Sequence, residues 1–143
     1  MKSLKGCPKI CSNFSCSSCT ALESLKYSPE GCNNFSCSNT AIKNLQDAPK
    51  EVVYFSCEVC KKLTSLEGAP KKCVDFDCSY CTNLKSLKYI PNCYIITCMF
   101  CPNITLKDFS ASCMEFNCHD YGKFTKEDIK EITKAVTINF YKV

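Results

Sequence analysis

Apolar side chains recur in this chain on a period near 20 residues, far longer than the repeat of a single helix or strand. Cysteines stand at Cys16, Cys37, Cys57, Cys78, Cys98 and Cys118, at intervals of 21, 20, 21, 20 and 20 residues. Two residues before each lies a large apolar side chain: Phe14, Phe35, Phe55, Phe76, Ile96 and Phe116. Three before that come Cys11, Cys32, Val52, Cys73, Cys93 and Cys113. Three after the reference cysteine come Cys19, Cys60, Cys81 and Cys101; Asn39 is read into that place in the second unit, after a one-residue deletion, and Tyr121 in the last. Leu22, Ile42, Leu63, Leu84 and Ile104 follow, then Leu25, Leu45, Leu66, Leu87 and Leu106, and Pro8, Pro29, Pro49, Pro70 and Pro91 mark each return. The clearest copy is Ser65–Leu84, SLEGAPKKCVDFDCSYCTNL.

The alternation Phe-x-Cys puts both side chains on one face of a short strand, and one strand per unit stacks parallel on the next about 4.8 Å away. No single unit can bury its apolar columns, so burial comes from stacking. Reduced cysteine serves as a small hydrophobe in such a column. Proline cannot donate a ladder hydrogen bond and belongs in the extended return segment. With glycine scarce, the turns are expected to use ordinary backbone dihedrals.

Written out, the unit P-x-x-Φ-x-x-F-x-C-x-x-(C/N)-x-x-L-x-x-L resembles the leucine-rich repeat, with cysteine in place of most asparagines and C-x-x-L in place of N-x-L. The short unit and the proline before the strand are most similar to repeats of bacterial effectors and of phage or viral proteins. That resemblance implies one right-handed solenoid with a curved parallel sheet of about six strands and little helix. It also implies a non-enzymatic binding protein whose concave strand face engages a host or viral protein, and a place in the host cytoplasm during infection.

The solenoid is expected over residues 1–124, with residues 1–10 the tail of a partial first repeat and the first full strand near Cys11–Cys16. No helix covers that first strand, so its edge is open to pairing. Residues 125–143 read as a C-terminal cap within the same domain. Thr125 to Asp128 has capping-box-like spacing, Ile129, Ile132 and Val136 follow helical spacing, Lys134 suits the last turn, and Val136–Tyr141 alternates as a final strand.

The chain has 143 residues, 16 of them cysteine, and a net charge of +4 in which every basic residue is lysine. Sixteen cysteines would suit a disulfide scaffold in a secreted chain. However, the N-terminus, MKSLKGCPKICSNF, lacks the apolar run of a signal peptide. The cysteines also exchange with Val52, Asn39 and Tyr121, which a required bridge or ligand would not permit. Mainly reduced thiols in a reducing cytoplasm follow from this reading. No apolar run is long enough to span a membrane.

The pairs Cys57-x-x-Cys60 and Cys78-x-x-Cys81 are 17 residues apart, with Cys16/Cys19 and Cys98/Cys101 in the same pattern, and alone would suit zinc or thiol redox chemistry. The repeat accounts for that spacing with no metal or cofactor, so a metal-binding or redox module is the alternative reading. His119 lies between Cys118 and Asp120, but neighbours on a strand point apart, which argues against a nucleophilic pair. Lys26, Lys43, Lys61, Lys62, Lys71, Lys72, Lys85 and Lys88 fall at turns and returns as a solvated face, without the arginines and aromatics of a nucleic-acid site.

Outward strand positions change from small and polar (Ser12, Asn13, Ser15, Ser17; Asn33, Asn34, Ser36, Ser38) to large and apolar. The later set is Val53, Tyr54, Val59, Val74, Tyr80, Tyr94, Ile95, Met99, Phe100 and Met114. The expected binding face comprises Tyr54, Val59, Tyr80, Tyr94, Ile95, Met99, Phe100 and Met114, because contiguous exposed apolar surface marks contacts. Its partner is a protein, or a second copy in a self-associating structural role. No catalytic residue and no metal ligand is assigned.

Overall fold

A computed structural model describes residues 1–107, 109, 111–120, 124, 125, 127, 128 and 137–142. They form a parallel β-solenoid. Its seven strands are β1 Ile10–Ser15, β2 Gly31–Ser36, β3 Tyr54–Ser56, β4 Asp75–Asp77, β5 Ile95–Cys98, β6 Glu115–Asp120 and β7 Thr137–Lys142. They lie in one sheet in chain order, every neighbouring pair parallel. The register is one-to-one: Phe14, Phe35, Phe55, Phe76, Ile96, Phe116 and Ile138 are successive partners. Inside, Phe14, Phe35, Phe55 and Phe76 stack with centroids 5.5, 5.4 and 5.4 Å apart. The leucine columns and Pro29, Pro49, Pro70 and Pro91 are buried on the far side of the coil.

The strands depart from strict alternation at one place. The carbonyl of Val53 accepts from Val74 N at 2.8 Å and Asp75 N at 3.0 Å, and that of Val74 accepts from Tyr94 N and Ile95 N, both at 2.9 Å. Sharing one acceptor between two amides is a bulge, so two consecutive residues face outward between each inward cysteine and phenylalanine.

The turns correct the expectation of ordinary dihedrals. Ser18, Asn39, Val59, Tyr80 and Phe100 form one left-handed column, with φ between 53° and 61°. Gly6, Tyr27, Asp47, Gly68 and Tyr89 form a second, with φ between 65° and 90°. In the second column the residue is third in a turn closed by Ser28 N to Leu25 O at 2.9 Å, Ala48 N to Leu45 O at 3.1 Å or Ala69 N to Leu66 O at 3.0 Å. A positive φ at the third residue is what a type II turn demands. Each coil must turn as its neighbours do to stay in register, so stacking imposes this conformation on valine, tyrosine and phenylalanine, at roughly 1–2 kcal/mol each.

A second correction concerns Asn39. It lies in the first left-handed column, its amide bonded to Glu58 O at 2.8 Å. Thr40, not Asn39, is buried at the Cys60 position, its hydroxyl donating to Cys37 O at 2.8 Å. The deletion therefore falls after Thr40. Tyr121, Ile129, Ile132, Lys134 and Val136 lie outside the described residues. What is described of the cap includes a reciprocal capping box, Asp128 N to Thr125 Oγ1 at 3.1 Å and Thr125 N to Asp128 Oδ2 at 2.7 Å. The Thr125 amide and hydroxyl hold the Asp128 carboxyl below its usual range. β7 then adds the last strand of the sheet.

Candidate functional site

The cysteines are the first candidates for chemistry. Cys16, Cys37, Cys57, Cys78, Cys98 and Cys118 form one continuous buried column, none more than 1% exposed. Cys60, Cys81 and Cys101 form a second, each thiol near the backbone carbonyl of a first-column cysteine one turn back: Cys60 Sγ to Cys37 O at 3.2 Å, Cys81 Sγ to Cys57 O at 3.2 Å and Cys101 Sγ to Cys78 O at 3.3 Å. The C-x-x-C spacing is thus that of a strand end plus a turn, and in Cys16–Cys19 it is closed by Cys19 N to Cys16 O at 3.2 Å. Cys32, Cys73, Cys93 and Cys113 are buried at the other end of the strands, while Cys11, Cys19 and Cys7, in the first turn, are half-buried. All sixteen thiols are free. Among the described residues no group of three or more His, Cys, Asp and Glu is placed to hold a metal ion.

Burial pushes Cys16 and Cys101 up to about 12 and Cys37 and Cys78 well up. Cys57 and Cys98 are raised first by hydrogen bonding with Cys81 and Cys118 and then by burial. Cys60 alone is lowered, to about 6, by hydrogen bonding with Cys37 and then with Thr40, but it has no exposed surface for a reagent to reach. Reaction with a bulky disulfide reagent at pH 8 should therefore be fast only at Cys7, Cys11 and Cys19. Mass-resolved labelling of native protein measures this; rapid modification of more than half the cysteines would contradict the buried columns.

The outward face is built from parallel columns running from turn to turn. At the start of the strands lie Val53, Val74, Tyr94 and Met114, all exposed. Next come Tyr54, Asp75, Ile95, Glu115 and Thr137, in direct register. Then follow Ser56, Asp77, Thr97, Asn117 and Asn139. Past the ends of β3, β4 and β5 lie Met99 and the left-handed Val59, Tyr80 and Phe100, and His119 follows Met99 in register as the fifth residue of β6.

In the last group the aromatic rings touch. Tyr80 and Phe100 stack at 4.7 Å, Phe100 meets His119 at 4.0 Å, and His119 meets Tyr141 at 6.2 Å. Tyr80 is 45%, Phe100 37% and Tyr141 48% exposed, so this ladder of rings is open to solvent. His119 and Tyr141 were legible only by counting register across the last two turns, where His119 pairs with Tyr141.

The face expected as one patch is therefore two apolar rows. Val59, Tyr80, Met99 and Phe100 belong to the row past the strand ends, Tyr94 and Met114 to the row at their start. Six residues of extended chain, roughly 20 Å, separate Tyr94 from Phe100. Between the rows, half-buried Tyr54 and Ile95 sit among polar neighbours that the sequence reading passed over, above all Asp75, Asp77 and Glu115. Burial, then Asp77 and Glu115, raise the Asp75 carboxyl above its usual range.

Toward β1 the same columns carry hydroxyls. Ser15 Oγ donates to Ser17 Oγ at 3.1 Å, Ser17 pairs with Ser36 at 2.7 Å, Ser36 with Ser38 at 3.1 Å, Ser38 with Ser56 at 2.7 Å, and Ser56 donates to Glu58 Oε2 at 3.0 Å. Asn34 Nδ2 donates to Asn13 Oδ1 at 2.6 Å alongside. These side chains satisfy one another, unlike the exposed rings of the later turns.

Comparison of the chain with protein-family models, with curated proteins and with solved structures finds no match.

Proposed function

We propose that this chain is a non-enzymatic protein-binding module that engages its partner through the strand face of its later turns. The observation that carries the reading is the ladder Tyr80–Phe100–His119–Tyr141, rings meeting on successive turns, the first pair stacked and the others tilted, with Tyr80, Phe100 and Tyr141 open to water. Tyr80 and Phe100 also hold a backbone conformation in which glycine or asparagine would be less strained. Tyr27 and Tyr89 occupy the other left-handed column, but they stand three turns apart, each with a neighbouring lysine ammonium 5.3 or 5.0 Å from its ring centre. A contiguous aromatic surface on a rigid sheet loses little ordering entropy on binding, and aromatics are the usual energetic anchors of interfaces. The resemblance of the repeats to short leucine-rich repeats of effectors and of phage or viral proteins supports a host or viral partner, and the free thiols suit a reducing cytoplasm.

Self-association is the second reading, favoured by β1. It is an edge strand of six residues with no neighbour on its outer side among the described residues, and Ile10 at its start is 80% exposed.

Tyr80→Ala combined with Phe100→Ala tests the main reading. Both side chains lie outside the core, so circular dichroism and thermal midpoint should stay near wild type. Partner capture, or dimer formation if the partner is a second copy, should weaken by about 2 kcal/mol or more, roughly thirtyfold. A folded double variant with every association intact would remove this surface from consideration.

A further inference from the structure

Lysine is absent from the outward columns between Val53 and His119. From Val53 to His119 the strand-face positions include Glu58, Asp75, Asp77 and Glu115 and no basic residue, in a chain that carries 18 lysines. The net charge of +4 therefore divides into −4 on these positions and +8 on the remainder, since +4 minus −4 is +8. The ion pairs among the described residues, Lys9–Glu30 and Lys62–Glu23, lie elsewhere. Among the described residues, three of the carboxylates accept hydrogen bonds from neutral groups only: Asp77 from Ser79 N at 2.8 Å, Glu58 from Ser56 Oγ at 3.0 Å, and Glu115 from Asn117 Nδ2 at 3.0 Å and Asn139 Nδ2 at 3.2 Å. Asp77 and Glu115 both repel the Asp75 carboxylate, which burial already disfavours, an arrangement that costs stability unless something outside the chain supplies positive charge. Asp75, Asp77 and Glu115 stand between the two apolar rows and extend over two turn spacings, roughly 10 Å at 4.8 Å each.

Resting on the strand face as the binding surface, we infer that its occupant is a cationic protein segment. Lysine or arginine side chains meet Asp75, Asp77 and Glu115, and apolar side chains reach the Tyr80–Phe100 row on one side and the Val74–Tyr94 row on the other. Charge complementarity of this kind sets partner choice and association rate. An acidic segment would be drawn to the lysine-bearing turns instead, away from the aromatic ladder.

The test uses three fluorescein-labelled peptides of one design, Gly/Ser-spaced with two phenylalanines and three variable positions, all Lys, all Gln or all Glu. Anisotropy at low salt should show the Lys peptide binding at least tenfold tighter than either analogue, even though the protein is itself basic. That preference should shrink in 0.5 M NaCl. Asp75→Asn with Asp77→Asn should lower the Lys-peptide affinity at least tenfold in a folded protein, while Lys71→Gln with Lys72→Gln leaves it unchanged. Equal or tighter binding of the Glu peptide, no binding of the Lys peptide, or indifference to the Asp75/Asp77 change each overturns the inference. A loss of binding in Tyr80→Ala/Phe100→Ala without any Lys preference overturns the cationic partner while leaving the strand face standing.

Discussion

Phe55→Ala is expected to cost about 3–5 kcal/mol of folding stability, the range for deleting a buried aromatic ring. Phe55 has no exposed surface and lies between Phe35 and Phe76, each 5.4 Å away with rings tilted by 12° and 4°. Removing it opens a cavity in the middle of the stack and breaks two ring contacts, each worth about 0.5–1.5 kcal/mol beyond burial. A solenoid coupled only through neighbouring turns has no other route to hold its first two coils against its last four. Against a typical total of about 5–15 kcal/mol, the variant stands near its folding threshold. Phe55→Ile should lose much less, because Ile96 already fills this column in the fifth coil. Urea denaturation followed by circular dichroism measures both. A Phe55→Ala midpoint within about 1 kcal/mol of wild type would mean the rings are not a load shared along the axis.

Gly68→Ala is the second large effect, about 2–5 kcal/mol from two sources. Gly68 has φ of +88°, and a methyl group there would lie 2.5 Å from both Cα and N of Gln46 and 2.6 Å from the Leu45 carbonyl carbon. Those atoms are backbone and cannot swing aside, since Leu45 N is held to Glu67 O at 2.8 Å. Overpacking adds about 1–3 kcal/mol to roughly 1–2 kcal/mol of left-handed strain. Gly6→Ala is the internal control: φ is +90°, but nothing lies within 4 Å of the added carbon, so only the strain remains. Equal thermal shifts for the two variants would show that close approach of the coils at Gly68 contributes nothing.

The apolar columns made the solenoid legible, because a strand that stacks on a copy of itself can bury Phe-x-Cys in only one register. The same logic carried β7, whose Ile138 and Phe140 continue the phenylalanine and cysteine columns. Asn39 was misplaced because asparagine fits two turn positions equally well, and the choice was made by a bond the sequence does not contain, from Thr40 to the Cys37 carbonyl. The left-handed columns were missed because local preference favours glycine there, whereas neighbouring coils override preference once the turn repeats. The binding face was read by alternation, which sorts residues into inside and outside. Alternation does not record distance along the strand, so rows at opposite ends merged and Asp75 and Asp77 between them went unremarked.

The serine row has a sense of direction. Each hydroxyl has a single proton to give, and Ser56 gives its own to the Glu58 carboxylate. Ser56 must then receive from Ser38, Ser38 from Ser36, Ser36 from Ser17 and Ser17 from Ser15. One anion on the third coil thereby orients five dipoles head to tail, back to the open strand at the first. Protonating or neutralising Glu58 would free the whole row to reverse, so that a single carboxyl group acts on a coil two turns away with no side chain changing place.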